Sequence, residues 1–159
     1  MYPIVILAGG LAKRIRPLTD KIPKAMININ SKPFIYWLLR YYINQGINTY
    51  HILLGYKGEM IQKYLLSIKN LNVSIDYHYD GKELKGTGGA LLKSCSSLPD
   101  KFLLLYGDTL LTINISEFIK FSLDHDLNNV MTIFENKDKW DNSNVTLLGK
   151  NMIDYSKNS

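Results

Sequence analysis

A run of five apolar residues near the N-terminus, Ile4–Ala8, is the feature that most constrains the fold. It is short, rich in β-branched side chains and closed by the pair Gly9-Gly10. Such a run is typical of a strand buried on both faces, as strands are in parallel sheets. Phe102–Tyr106 is a second run of this kind. The sequence therefore predicts a parallel sheet that is covered by helices.

Segments with helix and strand periodicity alternate along the rest of the chain. The predicted helices are Pro33–Gln45, Met60–Ile68, Gly88–Ser94 and Asn114–His125. The predicted strands after the first are Tyr50–Leu54, Val73–Tyr79, Phe102–Tyr106 and Val130–Phe134, followed by a hairpin of Val145–Leu148 and Met152–Tyr155. The segment Asp80–Gly89 is predicted to be mainly loop. This alternation favours right-handed βαβ units, and we expect a three-layer α/β/α sandwich with a mostly parallel sheet, in one domain over residues 1–159.

The composition excludes several classes of protein. With 159 residues, of which 46% are hydrophobic, the chain suits a well-cored domain rather than a disordered tail, a collagen-like fibre or a disulfide scaffold. No stretch reaches the roughly 18 apolar residues of a membrane helix, and the N-terminus lacks the pattern of a signal peptide. The single cysteine, Cys95, cannot form an internal disulfide. We expect a cytoplasmic protein without a membrane partner.

The net charge of +5 is concentrated in one short segment. Five cations lie within twelve positions, with one acidic residue among them: Lys13, Arg14, Arg16, Lys21 and Lys24. The basic and acidic residues elsewhere nearly balance. A local excess of this kind needs a local explanation, and phosphates bound at a strand end explain it better than nucleic acid does.

Residues suited to phosphate chemistry follow three of the predicted strands, where ligands bind in α/β sheets. Gly9-Gly10 allow backbone N–H groups to approach an anion, and Arg14 and Lys24 add positive charge there. Three glycines occur within Gly86–Gly89, and Asp108 offers the hard oxygen ligands that Mg²⁺ prefers. Each signal alone also has a purely structural explanation: a tight turn with a solvated basic flank, a flexible connector and an Asx turn, respectively. For the first loop, the clustered cations favour phosphate binding over the turn.

Several familiar catalytic motifs are absent from the sequence. It contains no Walker loop and no complete dinucleotide fingerprint. It also lacks the H-E-x-x-H, C-x-x-C and G-x-S-x-G patterns. These absences disfavour zinc hydrolases, thiol redox proteins and serine hydrolases.

Taken in series, the three loops resemble those of the sugar-1-phosphate nucleotidyltransferases. The family signature L-A-G-G-x-G-x-R-x-x-P-L-T, followed by P-K, resembles Leu7–Thr19 with Pro23-Lys24. The later G-T-G-G-A and G-D motifs match Gly86–Ala90 and Gly107-Asp108 in order and spacing. Within the family, the chain looks most similar to the branch of heptose 1-phosphate and mannose-1-phosphate guanylyltransferases.

The resemblance implies a Rossmann-like sheet and a Mg²⁺-dependent transfer of a nucleotidyl group from an NTP, with GTP favoured, to a sugar 1-phosphate. The products, an NDP-sugar and pyrophosphate, would serve the synthesis of polysaccharide or glycoconjugate precursors, including lipopolysaccharide and capsule. The implied partners are the two substrates and, as a further option, a second copy of the chain. The implied catalytic residues are Arg14, Lys24 and Asp108, with Asp108 also the metal ligand. The implied substrate-binding residues are Leu7, Ala8, Gly9, Gly10, Glu83, Gly86, Thr87, Gly88 and Lys157.

Two departures from the family pattern leave alternatives open. Ala12 stands where the family has glycine, and alanine fits there without strain only at negative φ. Family members usually continue well past this length and carry a second metal-binding aspartate, so we expect a domain that lacks its C-terminal third. The alternatives are an inactive or truncated domain that binds a nucleotide or sugar phosphate, and a choline-phosphate cytidylyltransferase.

Overall fold

The computed structural model describes residues 2–81, 86–137, 139, 143–149 and 151–155. The chain divides into two compact units, Met1–Asn114 and Ile115–Ser159. Each unit is described by itself below. The single domain expected over residues 1–159 stays a prediction.

The first unit alternates strands and helices in the predicted order. Its strands are β1 (Ile4–Ala8), β2 (Asn28–Ile29), β3 (Lys32–Pro33), β4 (Thr49–Leu54), β5 (Ser74–Tyr79) and β6 (Leu103–Tyr106). Its α-helices are α1 (Phe34–Ile43), α2 (Gly58–Ser67) and α3 (Gly86–Ser94). Single turns of 3-10 helix form at Lys13–Ile15, Leu18–Asp20, Lys24–Met26 and Cys95–Ser97.

Four strands form a parallel sheet in the order β5-β4-β1-β6. Ile4 of β1 lies opposite Tyr50 of β4 and Leu103 of β6. The chain moves outward from β1 through β4 to β5 and then returns past β1 to β6. Right-handed crossovers consequently place α1 and α2 on one face of the sheet and α3 on the other. The predicted α/β fold class with a parallel sheet is confirmed.

The core lies on both faces of this sheet. Ile4, Val5 and Ile6 of β1 are all fully buried, as the unbroken apolar run predicts. Val5 packs with Leu53 of β4 and Ala90 of α3. The first two helices contribute further fully buried side chains, namely Ile35, Leu38, Leu39, Tyr42 and Ile61. The predicted helices therefore cover the sheet with the apolar sides that their periodicity indicated.

Helix α3 begins earlier than the sequence predicts. Gly86, placed in the predicted loop, is the first residue of the helix and has φ +69°, a conformation that glycine adopts without strain. The glycines lower the helix propensity of this turn and so favoured a loop prediction. Burial of Ala90 against Val5 and Leu53 outweighs that low propensity.

The second unit contains α4 (Ile115–Asp124) and an antiparallel hairpin of β7 (Val145–Leu148) and β8 (Asn151–Tyr155), as predicted. The strand predicted at Val130–Phe134 is wrong, because these residues form no strand. A strand needs a partner for its backbone groups, and the two described strands of this unit pair with each other. Phe134 is accordingly 77% exposed.

Among the described residues, no helix has the length and apolar content needed to span a membrane.

Two histidines on neighbouring strands share a hydrogen bond that links stability to pH. The Nδ1 atom of buried His51 lies 3.1 Å from Nε2 of His78, so one ring must accept while the other donates. Burial lowers the pKa of His78, as does the nearby His51, whereas the Asp76 carboxylate opposes the shift. Since the neutral form is favoured in the folded state, the stabilisation is present above the unfolded pKa and is lost as pH falls below it.

We expect the melting temperature to fall between about pH 7.5 and about pH 5.5, and to fall less for His78→Gln, which removes the titrating ring. Thermal unfolding of both proteins, followed by circular dichroism in the same buffers, measures this difference. An identical fall in the two proteins would show that His78 does not contribute to the pH dependence.

Candidate active site

A cavity of about 620 Å³ opens at the carboxyl edge of the parallel sheet. Its walls come from the end of β1 and the loop after it, the first turn of α3, and the residues that follow β6. The predicted site residues that line it are Leu7, Ala8, Gly9, Gly10, Arg14, Lys24, Gly86, Thr87 and Asp108. Its size is that of an ordinary small-molecule site. The three sequence motifs are therefore brought together, because parallel strands end at one edge.

Among the predicted residues that the structure describes, Gly88 does not line the cavity. It is exposed in the first turn of α3. Glu83 and Lys157 lie outside the described residues, so their predicted roles stay predictions.

Lys24 and Asp108 are 84 positions apart and meet in this cavity. The Lys24 ammonium donates a hydrogen bond of 2.8 Å to Oδ2 of Asp108. Both side chains remain partly exposed, at 42% and 37%. Because the ion pair is in contact with solvent, little free energy is needed to break it. Lys24 can therefore bind an incoming anion, and Asp108 an incoming cation.

The close approach of β6 to β1 places Asp108. The Gly107 N–H donates to the Leu7 carbonyl at 2.8 Å. A Cβ atom on Gly107 would lie 3.0 Å from both the Leu7 oxygen and the Ala8 Cβ. A glycine is thus needed directly before the aspartate, which explains why the two residues occur as a pair.

Hydrogen bonds hold the C-terminal part of the basic loop that follows β1. The hydroxyl of buried Thr19 donates to the Ala12 carbonyl at 2.9 Å. The Tyr56 hydroxyl, just after β4, lies 3.2 Å from the Thr19 carbonyl and 2.9 Å from that of Asp20, to which it can donate. These contacts hold the loop against the end of a core strand and so fix the positions from which its cations act.

The structure divides the five clustered cations into two groups. Lys13, Arg14 and Lys24 line the cavity, whereas Arg16 and Lys21 do not. Arg16 instead pairs with Asp20 at 3.2 Å on the exposed side of the loop. Three positive groups around one cavity, together with glycine N–H groups, make it suitable for a phosphate-bearing ligand.

Ala12 adopts the left-handed conformation, with φ 47° and ψ 43°, contrary to the negative φ expected for a strain-free alanine. The chain turns here from Gly10 into the 3-10 turn at Lys13–Ile15. The hydrogen bond from Thr19 secures the Ala12 carbonyl in this orientation. The loop thus keeps the backbone conformation that a glycine at position 12 would adopt freely. In alanine this conformation is strained, because the Cβ atom lies too close to the neighbouring carbonyl oxygen.

Ala12→Gly is therefore expected to stabilise the chain, by about 1 kcal/mol, because it removes the left-handed strain. Urea unfolding monitored by circular dichroism measures the change. Ala90→Gly is the matched control, since the same substitution inside α3 removes packing and helix propensity and should destabilise. A lower free energy of unfolding for Ala12→Gly than for the unaltered chain would show that the left-handed conformation of Ala12 does not destabilise the chain.

Sequence reasoning missed one buried carboxylate in this cavity. Asp80 is 6% exposed and lines the same cavity as the cations. Its Oδ2 lies 3.3 Å from the position that a Cβ on Gly9 would occupy. The available signal was its position directly after β5, ahead of the Gly86–Gly89 loop to which the prediction at that strand end was confined. Leu11 and Tyr106, which were given no role, also line the cavity, as does Lys13, which was named only as part of the basic cluster.

The donor set suits Mg²⁺ rather than a transition metal. Within the described residues, no group of three or more histidine, cysteine or acidic side chains could hold a metal ion. Mg²⁺ requires less of the protein, because it binds through one or two carboxylates and takes its other oxygens from phosphates and water. Asp108, partly exposed in a cavity lined by cations and glycines, fits that requirement.

Comparison with known proteins identifies the family. Residues 4–143 match the family described as Nucleotidyl transferase. The chain belongs to this family. The resemblance seen in the Leu7–Thr19, Gly86–Ala90 and Gly107-Asp108 motifs is thereby confirmed.

Similar proteins share both the sequence and the fold of this nucleotidyl transferase. It is 34% identical to D-glycero-alpha-D-manno-heptose 1-phosphate guanylyltransferase of Aneurinibacillus thermoaerophilus over 73% of the chain and 50% of that protein. The enzyme of the same name from Campylobacter jejuni is 35% identical over 71% and 50%. The crystal structure of HddC from Yersinia pseudotuberculosis complexed with GMP-PN superposes with TM-score 0.70 at 37% identity, over 78% of the chain and 55% of HddC. The chain thus spans about half the length of the curated relatives it matches.

Proposed function

We propose that this chain transfers a nucleotidyl group from an NTP to a sugar 1-phosphate, giving an NDP-sugar and pyrophosphate. The observation that carries the proposal is the meeting of Lys24 and Asp108, 2.8 Å apart, in a cavity walled by glycine N–H groups and further cations. Phosphate binding, charge neutralisation and a metal carboxylate are the groups that phosphoryl-type transfer requires. The names of the similar enzymes support the same reaction.

The residues of the chain bind and orient the two anionic substrates. Backbone N–H groups at Gly9-Gly10 and at the first turn of α3 can donate to the nucleotide. Arg14 and Lys24, which both line the cavity, are proposed to neutralise phosphate oxygens of the NTP, and Lys24 is proposed to contact the sugar phosphate as well. Holding both substrates in line is expected to supply much of the rate acceleration.

The chemistry needs no general base. A sugar 1-phosphate is already anionic at neutral pH, and one of its oxygens attacks the α-phosphorus of the NTP. The bond between the α-phosphorus and its bridging oxygen breaks, and the electron pair leaves with pyrophosphate. Arg14 and Lys24 offset the repulsion between the two anions and the charge that develops on the leaving group. Mg²⁺, when bound through Asp108, supplies further neutralisation of phosphate oxygens.

We further propose GTP as the nucleotide, a cytoplasmic location, and a role in making polysaccharide or glycoconjugate precursors such as lipopolysaccharide or capsule. The guanylyltransferase names of two relatives and the GMP-PN bound to HddC support guanine. The presence of a single cysteine agrees with a reducing compartment.

The deciding experiment measures pyrophosphate release by the 159-residue chain with Mg²⁺, each of the common NTPs and a panel of hexose and heptose 1-phosphates. The proposal expects release that depends on Mg²⁺, on GTP and on a sugar phosphate together. Nucleotide binding without turnover would favour a binding domain instead. Release with CTP and choline phosphate alone would establish the cytidylyltransferase alternative.

A further inference from the structure

The carboxyl end of β4 lies at the same edge of the sheet as the candidate active site, and the sequence predicts no site residue after it. Tyr56, which follows this end, does not line the cavity. Its main-chain N–H donates to the Gly9 carbonyl at 3.1 Å. Its hydroxyl lies 2.9 Å from the Asp20 carbonyl and 3.2 Å from that of Thr19, and it can donate to either. Tyr56 therefore holds both ends of the basic loop, one through its main chain and the other through its side chain.

One more hydrogen bond connects the Tyr56 hydroxyl with the turn that carries Arg14. The side chain of Thr19, which is 1% exposed, donates to the Ala12 carbonyl at 2.9 Å. The Ile15 N–H donates to the same carbonyl at 3.3 Å and so closes that turn. A continuous path of hydrogen bonds thus runs from the end of a core strand to the main chain on either side of Arg14.

Arg14 depends on such contacts more than Lys24 does. Lys24 lies in a 3-10 turn whose Ala25 is buried, and its ammonium also bonds to Asp108. The turn Lys13–Ile15, in contrast, contains no buried residue. A single 3-10 turn without core packing is weakly held by its own hydrogen bonds. The contacts made to it by more rigid parts of the fold must therefore set its position.

We infer that Tyr56 is a positioning residue for Arg14, an inference that rests on the proposed function. A guanidinium group binds phosphate oxygens through paired N–H groups of fixed geometry. A small displacement of the turn therefore removes hydrogen bonds to the ligand even though the charge stays in the cavity. Tyr56 prevents this displacement without touching the substrate, because it anchors the loop to the end of β4.

Tyr56→Phe removes the hydroxyl and keeps the ring and the N–H that bonds to Gly9. We expect the variant to bind inorganic pyrophosphate about 10-fold more weakly in the presence of Mg²⁺, which corresponds to the loss of about one charge-assisted hydrogen bond. Turnover should fall by at least the same factor. Isothermal titration calorimetry measures the binding, and pyrophosphate release measures the turnover.

Tyr79→Phe is the matched control for this variant. The Tyr79 hydroxyl donates to Oε1 of Gln62 at 2.7 Å, and Tyr79 does not line the cavity. The control therefore loses a hydroxyl and its hydrogen bond, as Tyr56→Phe does, but no contact with the basic loop. We expect its affinity for pyrophosphate to match that of the unaltered chain.

A double-mutant cycle with Arg14→Met separates positioning from a merely structural role. If Tyr56 acts through Arg14, adding Tyr56→Phe to Arg14→Met should weaken pyrophosphate binding by less than about twofold, since the positioned group is already gone. A structural contribution would lower the affinity by the same factor in both backgrounds. Thr19→Val removes the next hydrogen bond of the path and should give the same pattern, which provides the test if Tyr56→Phe does not fold.

An affinity of Tyr56→Phe for pyrophosphate equal to that of the unaltered chain would overturn the inference. Equal losses with and without Arg14 would do the same. Absence of turnover by the unaltered chain with every NTP and sugar phosphate would instead contradict the proposed function. The binding cycle would still decide the role of Tyr56 in that case, because it requires pyrophosphate binding alone.

Discussion

Asp108→Asn is expected to lower the rate of pyrophosphate release by about 1000-fold or more, since it removes the carboxylate that would bind Mg²⁺. The amide of asparagine is a neutral and weaker ligand for a hard dication. It also leaves the Lys24 ammonium without its 2.8 Å anionic partner. The fold should persist, because the Asp108 side chain is 37% exposed and surface ion pairs of this kind contribute about 0–1 kcal/mol.

Two measurements separate a metal role from a general loss of structure. Binding of Mn²⁺, followed by electron paramagnetic resonance in the presence of GTP, should weaken in step with turnover. The circular dichroism spectrum and melting temperature should stay close to those of the unaltered chain. Asp100→Asn, with an exposed carboxylate outside the cavity wall, is expected to leave all these quantities unchanged. Near-normal turnover by Asp108→Asn would show that the metal carboxylate has been misassigned.

Lys24→Met should lower turnover by about 100- to 1000-fold, the usual cost of removing one preorganised group that stabilises developing charge. Methionine keeps much of the length and apolar stem of lysine without the ammonium group. Metal binding is expected to respond in the opposite direction to that of Asp108→Asn. Because the substitution frees Asp108 from its ion pair, Mn²⁺ should bind the nucleotide-free chain at least as tightly as before.

Lys21→Met is the matched control for this variant. Lys21 belongs to the same sequence cluster of cations but does not line the cavity, so its removal changes the net charge equally while leaving the site intact. Its turnover is expected to stay within about twofold of normal, since only long-range, screened electrostatics change. Equal losses for Lys21→Met and Lys24→Met would show that overall charge, rather than a positioned ammonium, matters.

The predicted elements of the first unit were recovered because local periodicity reports burial directly. The fully buried run Ile4–Ile6 and the helical spacing in Phe34–Ile43 each reflect one repeating contact with the core. Val130–Phe134 has equally suitable residues for a strand, yet it forms none. Strand formation depends on a partner elsewhere in the chain, and no local pattern reports whether that partner is present.

The candidate site was predictable to the extent that the topology alone brings motifs together. Once β1 and β6 are parallel neighbours, Gly9-Gly10 and Asp108 must lie at the same edge. Asp80 obeys the same rule after β5, and it was missed because a lone aspartate after a strand also fits an ordinary turn. Its burial against Gly9 is what distinguishes it.

Residue types and spacings alone are enough to specify the α/β class, the order of the sheet-forming segments in the first unit and the concentration of cations in the loop after β1. Each of these follows from residue types and spacings within one segment, where backbone preference and burial act locally. Three features become visible only in the folded chain. Lys24 contacts Asp108, and Ala12 is left-handed. Lys13, Arg14 and Lys24 line the cavity, whereas Arg16 and Lys21 do not. These outcomes depend on contacts between residues far apart in the chain, such as Tyr56 with the Asp20 carbonyl, which no local spacing encodes.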